Sequence, residues 1–388
     1  MSFFTIWMRK LQEIKNLKER TALVRVDFNV PVGSDGVVDD SEASRIEKSL
    51  ETIKHLQQAG TKTVLVSHIG RDKKESLRPV ADYLSKFVPV KFIPTLDPAD
   101  VAGIISNMAP GETVLLENLR QNPGEEGNDL EFASWLASLA DFYVNEAFAV
   151  SHRSHASIVS VPMYLQSYAG FWFQKEIDNL SKVMKDPARP FLFILGGAKF
   201  DTKLPLIKKF EHIADEILIG GALANNFFKE IGFNIGKSLI DKEANVFEFF
   251  NKENIKIPFD VVTKNGAKEI AMLDKEDIIV DMGPETLAEW KKSVAKAKTI
   301  LWNGPLGLYE EGFDIASKEL LSAVAESGAF SVIGGGDTIK LVKDMKLDEK
   351  VSFISTGGGA MLEYLSHGTL PGIMALEAGD GLSTNTER

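Results

Sequence analysis

Residues 191–197 read FLFILGG: five apolar residues, rich in aromatic and branched side chains, closed by a glycine pair. A short apolar run of this kind, stopped by glycine and followed by a helical pattern, marks a strand buried on both faces of a parallel sheet. The same design returns in EILIGG (216–221), TILWNG (299–304), FSVIGGG (330–336) and VSFISTGGG (351–359), and most of these strands lead into an amphipathic stretch. Toward the N-terminus, ALVRVDF (22–28), TVLVSH (63–68), TVLLENL (113–119) and FYVNEAF (142–148) also read as strands. The alternation predicts an α/β fold with mostly parallel sheets. Ligands of such sheets bind beyond the carboxyl ends of the strands, so the glycine turns of the second half should line one crevice, as in a nucleotide domain.

Between the first two strands, SEASRIEKSLETIKHLQQAG (41–60) spaces Ile46, Leu50, Ile53 and Leu56 at helical steps, with Ser41 as the expected cap and Gly60 as the stop. YAGFWFQKEIDNLSKVMKDPARP (168–190) predicts a helix opening near Phe171 and closed by Pro187 and Pro190, with Ile177, Leu180 and Met184 on one stripe. It divides the chain into an N-terminal lobe over 1–170, a connector over 171–187 and a C-terminal lobe over 188–370.

A length of 388 residues fits two or three domains at the usual ~150 residues each. With 44% hydrophobic and 26% charged residues the chain folds by burial alone. The absence of cysteine removes disulfides, thiolate zinc sites, iron–sulfur clusters and thiol nucleophiles together, and fits a reducing, cytoplasmic compartment. A net charge of −11 argues against nucleic acid or an anionic membrane as partner, and no stretch approaches the roughly 18 apolar residues of a membrane span. The opening MSFFTIW has its charges after the apolar residues, unlike a signal peptide, and Met8 serves equally well as a start. The tail GDGLSTNTER has a disordered composition.

Polar residues gather at strand ends of the first half: Asp27 and Asn29 in RVDFNVP, His68 and Arg71 in SHIGR, Arg120 in ENLR, and His152, Arg153 and His155 in SHRSH. Arg45 joins them from the start of the first helix. A single surface arginine is ordinarily a solvated one. Four at equivalent strand ends, with histidines, suit a small and highly anionic ligand, because guanidinium matches phosphate and carboxylate with two donors at once. His152 and His155 lack the third partner that zinc requires, which leaves them to bond an anion or to satisfy backbone groups.

In the second half, Lys199 and Lys203 in LGGAKFDTK stand four residues apart at a helix opening, where a shared face would aim both ammonium groups at one phosphate. GGGDT supplies glycine backbone, Asp337 as a hard oxygen ligand for Mg²⁺, and Thr338 to cap the next helix. STGGGA, with Gly358 and Gly359, opens another helix whose free amides suit a phosphoryl group in transit, and WNGPLGLYE adds Asn303 and Glu310, the latter suited to sugar hydroxyls. IGFNIGKS lacks the first glycine of a P-loop, and no GxGxxG with its distant acidic partner is present.

Taken in order, RVDFNVP, SHIGR, ENLR, VNEAF, SHRSH, LGGAK, WNGPLGLYE, GGGDT, STGGGA and LPGI resemble the phosphoglycerate kinase family from about Leu11 to Leu376. The resemblance implies a monomeric, hinge-bending enzyme of two Rossmann-like lobes. Its reaction moves a phosphoryl group between 1,3-bisphosphoglycerate and ADP, giving 3-phosphoglycerate and MgATP. By similarity, Asp27, Asn29, Arg45, His68, Arg71, Arg120 and Arg153 bind the phosphoglycerate. Arg45 and Lys203 act on the transferring group, with Lys199, Gly358 and Gly359 adding positive potential. The nucleotide lies across Gly197, Lys199, Lys203, Asn303, Glu310 and Gly336, Asp337 and Thr338, and Asp337 helps hold Mg²⁺. Residues 371–388 are expected to return to the N-terminal lobe.

The chain departs from the family pattern at Asp72, where proline is usual, at Gln121, where phenylalanine is usual, and at Ala222 in GGALA. AVSHR also replaces the common GTAHR, and the residues between the two lysines vary. Two other readings compete: a catalytically degenerate nucleotide-binding protein on the same scaffold, and a Rossmann oxidoreductase. The retained cations speak against the first and the missing glycine fingerprint against the second.

Overall fold

In a computed structural model the chain is described over residues 8–40, 43–243, 245–250 and 252–379. The MSFFTIW opening, the expected cap Ser41 and nearly all of the tail lie outside the described residues. The chain divides into two compact units. One runs to Ile177 and takes the chain up again from His367; the other is Asp178–Ser366.

The first unit is built on six parallel strands: β1 (Thr21–Arg25), β2 (Lys62–Val66), β3 (Lys91–Ile93), β4 (Thr113–Leu116), β5 (Phe142–Asn145) and β6 (Ser167–Ala169). Their order across the sheet is β3-β4-β2-β1-β5-β6. Winding therefore runs one way from β1 and the other way from β5, and the crevice between their carboxyl ends is a topological switch point. The strands are mostly apolar and largely buried, as in a sheet covered on both faces, and Ala22, Leu23 and Val24 of β1 are fully buried. The helix Ser44–Gln58 packs Ile46, Ile53 and Leu56 into the same core and ends before Gly60, whose φ of +74° only glycine adopts freely. Its N-cap is Ala43, which makes no side-chain cap bond.

The helix Phe171–Lys185 begins in the first unit and ends in the second, with Ile177, Leu180 and Met184 buried along its stripe. Its opening is held by the Glu146 carboxylate, which accepts the amides of Trp172 (3.0 Å) and Phe173 (3.2 Å) and the Thr52 hydroxyl (2.8 Å). Gly170 has no side chain because a Cβ there would run into that carboxylate.

The second unit has a six-stranded parallel sheet of β7 (Phe191–Leu195), β8 (Glu216–Ile219), β9 (Ile255–Lys256), β13 (Thr299–Asn303), β14 (Phe330–Gly334) and β15 (Phe353–Ile354). Their order across the sheet is β15-β14-β13-β7-β8-β9. Here the switch point falls between β7 and β13. A separate antiparallel sheet, β11-β10-β12, comprises β10 (Asp260–Thr263), β11 (Gly266–Glu269) and β12 (Ile279–Met282). Among the described residues no helix is long and apolar enough to cross a membrane.

Candidate active site

Each unit carries one polar constellation at its switch point. In the first unit, Asp27 and Asn29 follow β1, His68 and Arg71 follow β2, Arg120 follows β4, Arg153 follows β5, and Arg45 is the second residue of the helix Ser44–Gln58. The structure knits them together. Arg45 pairs with Asp27 at 3.2 Å and donates to the Asn29 carbonyl at 3.1 Å. The Asn29 side-chain oxygen accepts the Gly70 amide at 2.9 Å, and the Gly70 carbonyl accepts the Arg120 guanidinium. Arg153 is half-buried, and its affinity for its proton is lowered first by burial and then by Arg120, while Asp27 and Glu126 work against them. Arg71 adds further positive potential at the same place.

Two of the four arginines are thus matched by carboxylates, Arg45 by Asp27 and Arg120 by Glu126 at 3.0 Å. The result is a cradle of oriented forks with fewer free charges than four arginines suggest. Below it lies a layer that the strand-end reading missed, in which Arg25, Glu125 and Ser157 are all buried. The signal was present in RVDFN, where Arg25 continues the two-residue step of Asp27 and Asn29 into an otherwise apolar strand. Burial and the surrounding cations hold the His155 imidazole down at about 4, so it is neutral near pH 7. Among the described residues no cluster of His, Asp and Glu could hold a metal by itself, and His152 and His155 form no such group.

In the second unit, the turns after β7, β8 and β13 interlock through their backbones. Gly196 donates to the Asn303 carbonyl (2.9 Å), Gly197 to that of Pro305 (2.8 Å) and Gly221 to that of Leu306 (3.0 Å). A Cβ at Gly196 would collide with the Pro305 and Gly304 carbonyls, so close approach of the two turns requires glycine there. The turns open onto a cavity of ≈ 630 Å³. Gly197, Lys199, Lys203, Asn303, Glu310, Gly336, Asp337, Gly358 and Gly359 all line it. The antiparallel sheet adds apolar lining, including Val261, Ile279 and Val280, which strand reading did not anticipate. A slot with both polar and apolar lining suits a ligand with a charged tail and a flat, uncharged head.

Two expectations are corrected. Lys199 is the N-cap of the helix Phe200–Phe210 with extended backbone, so it shares no helical face with Lys203. The two ammonium groups are still neighbours, since Lys199 helps lower the proton affinity of Lys203. Thr338 caps nothing. The N-cap of the helix Gly336–Asp344 is Gly335, and the buried Thr338 hydroxyl accepts the Gly304 amide at 3.1 Å, tying β13's turn to that helix from behind the cavity wall. The segment IGFNIGKS follows a helix rather than a strand, so it is no phosphate loop.

Lys203 is the most perturbed group of the cavity. It is buried, donates to the Asn303 side-chain oxygen, and titrates at about 7, first through desolvation and then through Lys199, with Asp337 acting in the opposite sense. Asp337 stands exposed in the first turn of its helix beside this lysine. The Asp337 carboxylate, beside Lys203 in the cavity lining, fits Mg²⁺, which takes one or two protein oxygens and completes its shell with phosphate and water.

Comparison with known proteins adds independent findings. The sequence profile of the family described as Phosphoglycerate kinase matches residues 11–368. A phosphoglycerate kinase of Dictyoglomus turgidum is 41% identical over 94% of this chain and 97% of its own length. One from Desulfosudis oleivorans is 40% identical over 95% and 99%. Among solved structures, phosphoglycerate kinase from Coxiella burnetii superposes with a TM-score of 0.84 at 32% identity, covering 96% of this chain and 99% of that one. The enzyme from Pyrococcus horikoshii OT3 gives 0.82 at 29%, covering 96% and 100%.

Proposed function

This chain belongs to the phosphoglycerate kinase family, and we propose that it catalyses reversible phosphoryl transfer from the acyl phosphate of 1,3-bisphosphoglycerate to MgADP, giving 3-phosphoglycerate and MgATP. The observation that carries the reading is Lys203. A buried cation that, among the described residues, hydrogen-bonds only to the neutral oxygens of Asn303, in a cavity rimmed by helix N-termini, is poorly satisfied until an anion arrives.

In this reading the cavity of the second unit takes the nucleotide. The apolar wall receives the base, Glu310 meets the ribose hydroxyls, and Lys199, Lys203, Asn303 and the amides of Gly358 and Gly359 receive the phosphates. Asp337 would hold Mg²⁺, which when bound neutralises phosphate charge. The cradle of the first unit takes the phosphoglycerate through Arg71, Arg120, Arg153 and His68, while Asp27 and Asn29 hold Arg45 in place. An acyl phosphate is already activated, so in-line placement and compensation of charge on the equatorial oxygens suffice. No general base is needed. Arg45 and Lys203 supply that compensation, and hinge bending about the helix Phe171–Lys185 meets the demand that donor and acceptor come to near contact with water excluded. The family resemblance implies a monomer, and the acidic, cysteine-free composition accords with a cytoplasmic location and with neither nucleic acid nor an anionic membrane as partner.

The test is a coupled assay in the ATP-consuming direction with 3-phosphoglycerate, MgATP and an NADH-linked dehydrogenase. Turnover that falls by about 10²-fold or more in both Lys203→Ala and Arg45→Ala supports the proposal. A folded protein that binds MgADP and turns nothing over replaces it with a degenerate kinase, and directs attention to Asp72, Gln121 and Ala222.

A further inference from the structure

Beneath the arginine cradle of the first unit, Arg25 closes β1 with no exposed surface. Each of its guanidinium nitrogens is committed. Nε donates to the Ser157 hydroxyl at 2.8 Å, one terminal nitrogen donates to the Val26 carbonyl, and the other meets His68 Nδ1 at 3.0 Å and lies 3.9 Å from the Glu125 carboxylate. Ser157 in turn donates its hydroxyl (2.6 Å) and amide (2.9 Å) to the two Glu125 oxygens, and the Tyr143 hydroxyl donates to the Ser157 carbonyl at 2.7 Å. The guanidinium is thereby held in one orientation, its charge balanced by a carboxylate as deeply buried as itself.

An arginine N–H can only donate, so His68 Nδ1 must present its lone pair to it. In a neutral imidazole the proton then sits on Nε2. Nε2 is buried and has no hydrogen-bond partner among the described residues. Charging of the ring is opposed first by its burial and then by the four groups facing it, Arg25 from β1, Arg120 from the turn after β4, and Arg153 and His155 from the segment after β5, all of which push its pKa far below the usual histidine range.

We propose that Arg25 is a positioning residue that locks His68 as the Nε2–H tautomer, so that the cradle offers the anionic substrate one neutral, directional donor beside its guanidinium forks. The other tautomer would aim a lone pair at the same anion. The proposal rests on the reading of this unit as the phosphoglycerate side, and its test has two arms so that the two can fail separately.

The first arm needs no activity. In ¹⁵N-histidine-labelled full-length protein, with the His68 signals identified by their loss in His68→Gln, the ¹⁵N–¹H correlation pattern between pH 6 and 8 should be that of a neutral ring protonated at Nε2. A ring protonated at Nδ1, or one that titrates in this range, overturns the proposal. The second arm is a cycle read in the coupled assay. Arg25→Met should raise KM for 3-phosphoglycerate by about ten-fold or more while leaving KM for MgATP unchanged, the size expected for losing a hydrogen bond to a charged group. In the His68→Gln background, where the amide supplies a donor without a tautomer to fix, the same substitution should leave KM for 3-phosphoglycerate unmoved. An equal penalty in both backgrounds shows that Arg25 acts independently of His68, and overturns the proposal. Should Arg25→Met fail to fold for want of Glu125's counter-charge, the first arm decides alone.

Discussion

Lys203 donates its ammonium group to the side-chain oxygen of Asn303, the residue that ends β13, and has the carbonyl of the same residue at 3.4 Å. Neither acceptor carries charge. Desolvation therefore dominates, and the proton is held only to about pH 7, with Lys199 as a further cause and Asp337 as a partial offset. Binding of a phosphate chain reverses that balance, so nucleotide binding at pH 8 should be accompanied by uptake of a proton. Calorimetric titration of the protein with MgADP in two buffers of different ionisation enthalpy measures it directly. Uptake near one proton is expected in the wild type and none in Lys203→Met; equal, zero uptake in both would assign Lys203 an ordinary charged state. Because the unfolded lysine keeps its proton up to the usual 10.5 and the folded one releases it near 7, the unfolded state binds more protons between these values. This group's penalty on stability is thus full below about pH 7 and fades as pH rises. At neutral pH Lys203→Met should unfold at a higher temperature than the wild type, by an amount worth about 0.5–2 kcal/mol, while losing activity.

Arg45 is fixed by Asp27 at 3.2 Å and by the Asn29 carbonyl at 3.1 Å, so its fork is aimed before any ligand arrives. Arg45→Lys keeps the charge and loses the fork. In the coupled assay kcat should fall by about 10–100-fold, less than for Arg45→Ala, with KM for MgATP unaffected. Equal losses in the two variants would mean that geometry alone, and not charge, is what Arg45 contributes.

Gly196 has ordinary backbone angles, so its requirement is purely steric: a Cβ would press on the carbonyls of Gly304 and Pro305. Gly196→Ala should force the turns after β7 and β13 apart, lower the unfolding free energy by about 1–3 kcal/mol, and weaken MgADP binding. Binding unchanged from wild type would show that the interlock does not shape the cavity.

Glu146 accepts three hydrogen bonds at the start of the helix Phe171–Lys185, yet burial prevails and raises its pKa to about 7. The folded state then binds one proton more than the unfolded state between about 4.5 and 7, so this residue lowers stability as pH rises across that window. Glu146→Gln carries no titrating group. Its melting temperature should follow pH less steeply than the wild type's between pH 5 and 7, and identical slopes would place the titration elsewhere.

Much of this was legible in the sequence, for reasons that also explain what was not. β7, β13 and β14 are buried on both faces and must be continuous apolar runs, which periodicity reads without a structure. β3 has only KFI, and β15 only Phe353–Ile354, too little for any period to register. β10 and β11 read DVVT and GAKE, half polar, because this sheet is antiparallel and β11 is largely exposed. The sheet supplies the cavity's apolar wall, so that wall was invisible as well. Among the site residues, strand ends followed by glycine or arginine gave the polar side of both constellations. The pairings did not follow from sequence: Glu126 answering Arg120, Glu125 balancing Arg25, and Thr338 turned away from the cavity to hold Gly304 all depend on tertiary approach.

The helix Pro371–Ala378 lies on the segment 156–163 of the first unit, buries Ile373 and Leu376, and donates the Gly372 amide to the Ser151 carbonyl at 2.8 Å. A Cβ at Gly372 would meet Ser151 and Ile158, so the helix sits close. During synthesis the second unit, Asp178–Ser366, is therefore complete as a continuous stretch of chain while the first, begun earlier, still lacks a side of its core. Birth order and completion order are reversed on the ribosome, and a nascent first unit must wait with apolar surface uncovered until the helix Pro371–Ala378 has been made.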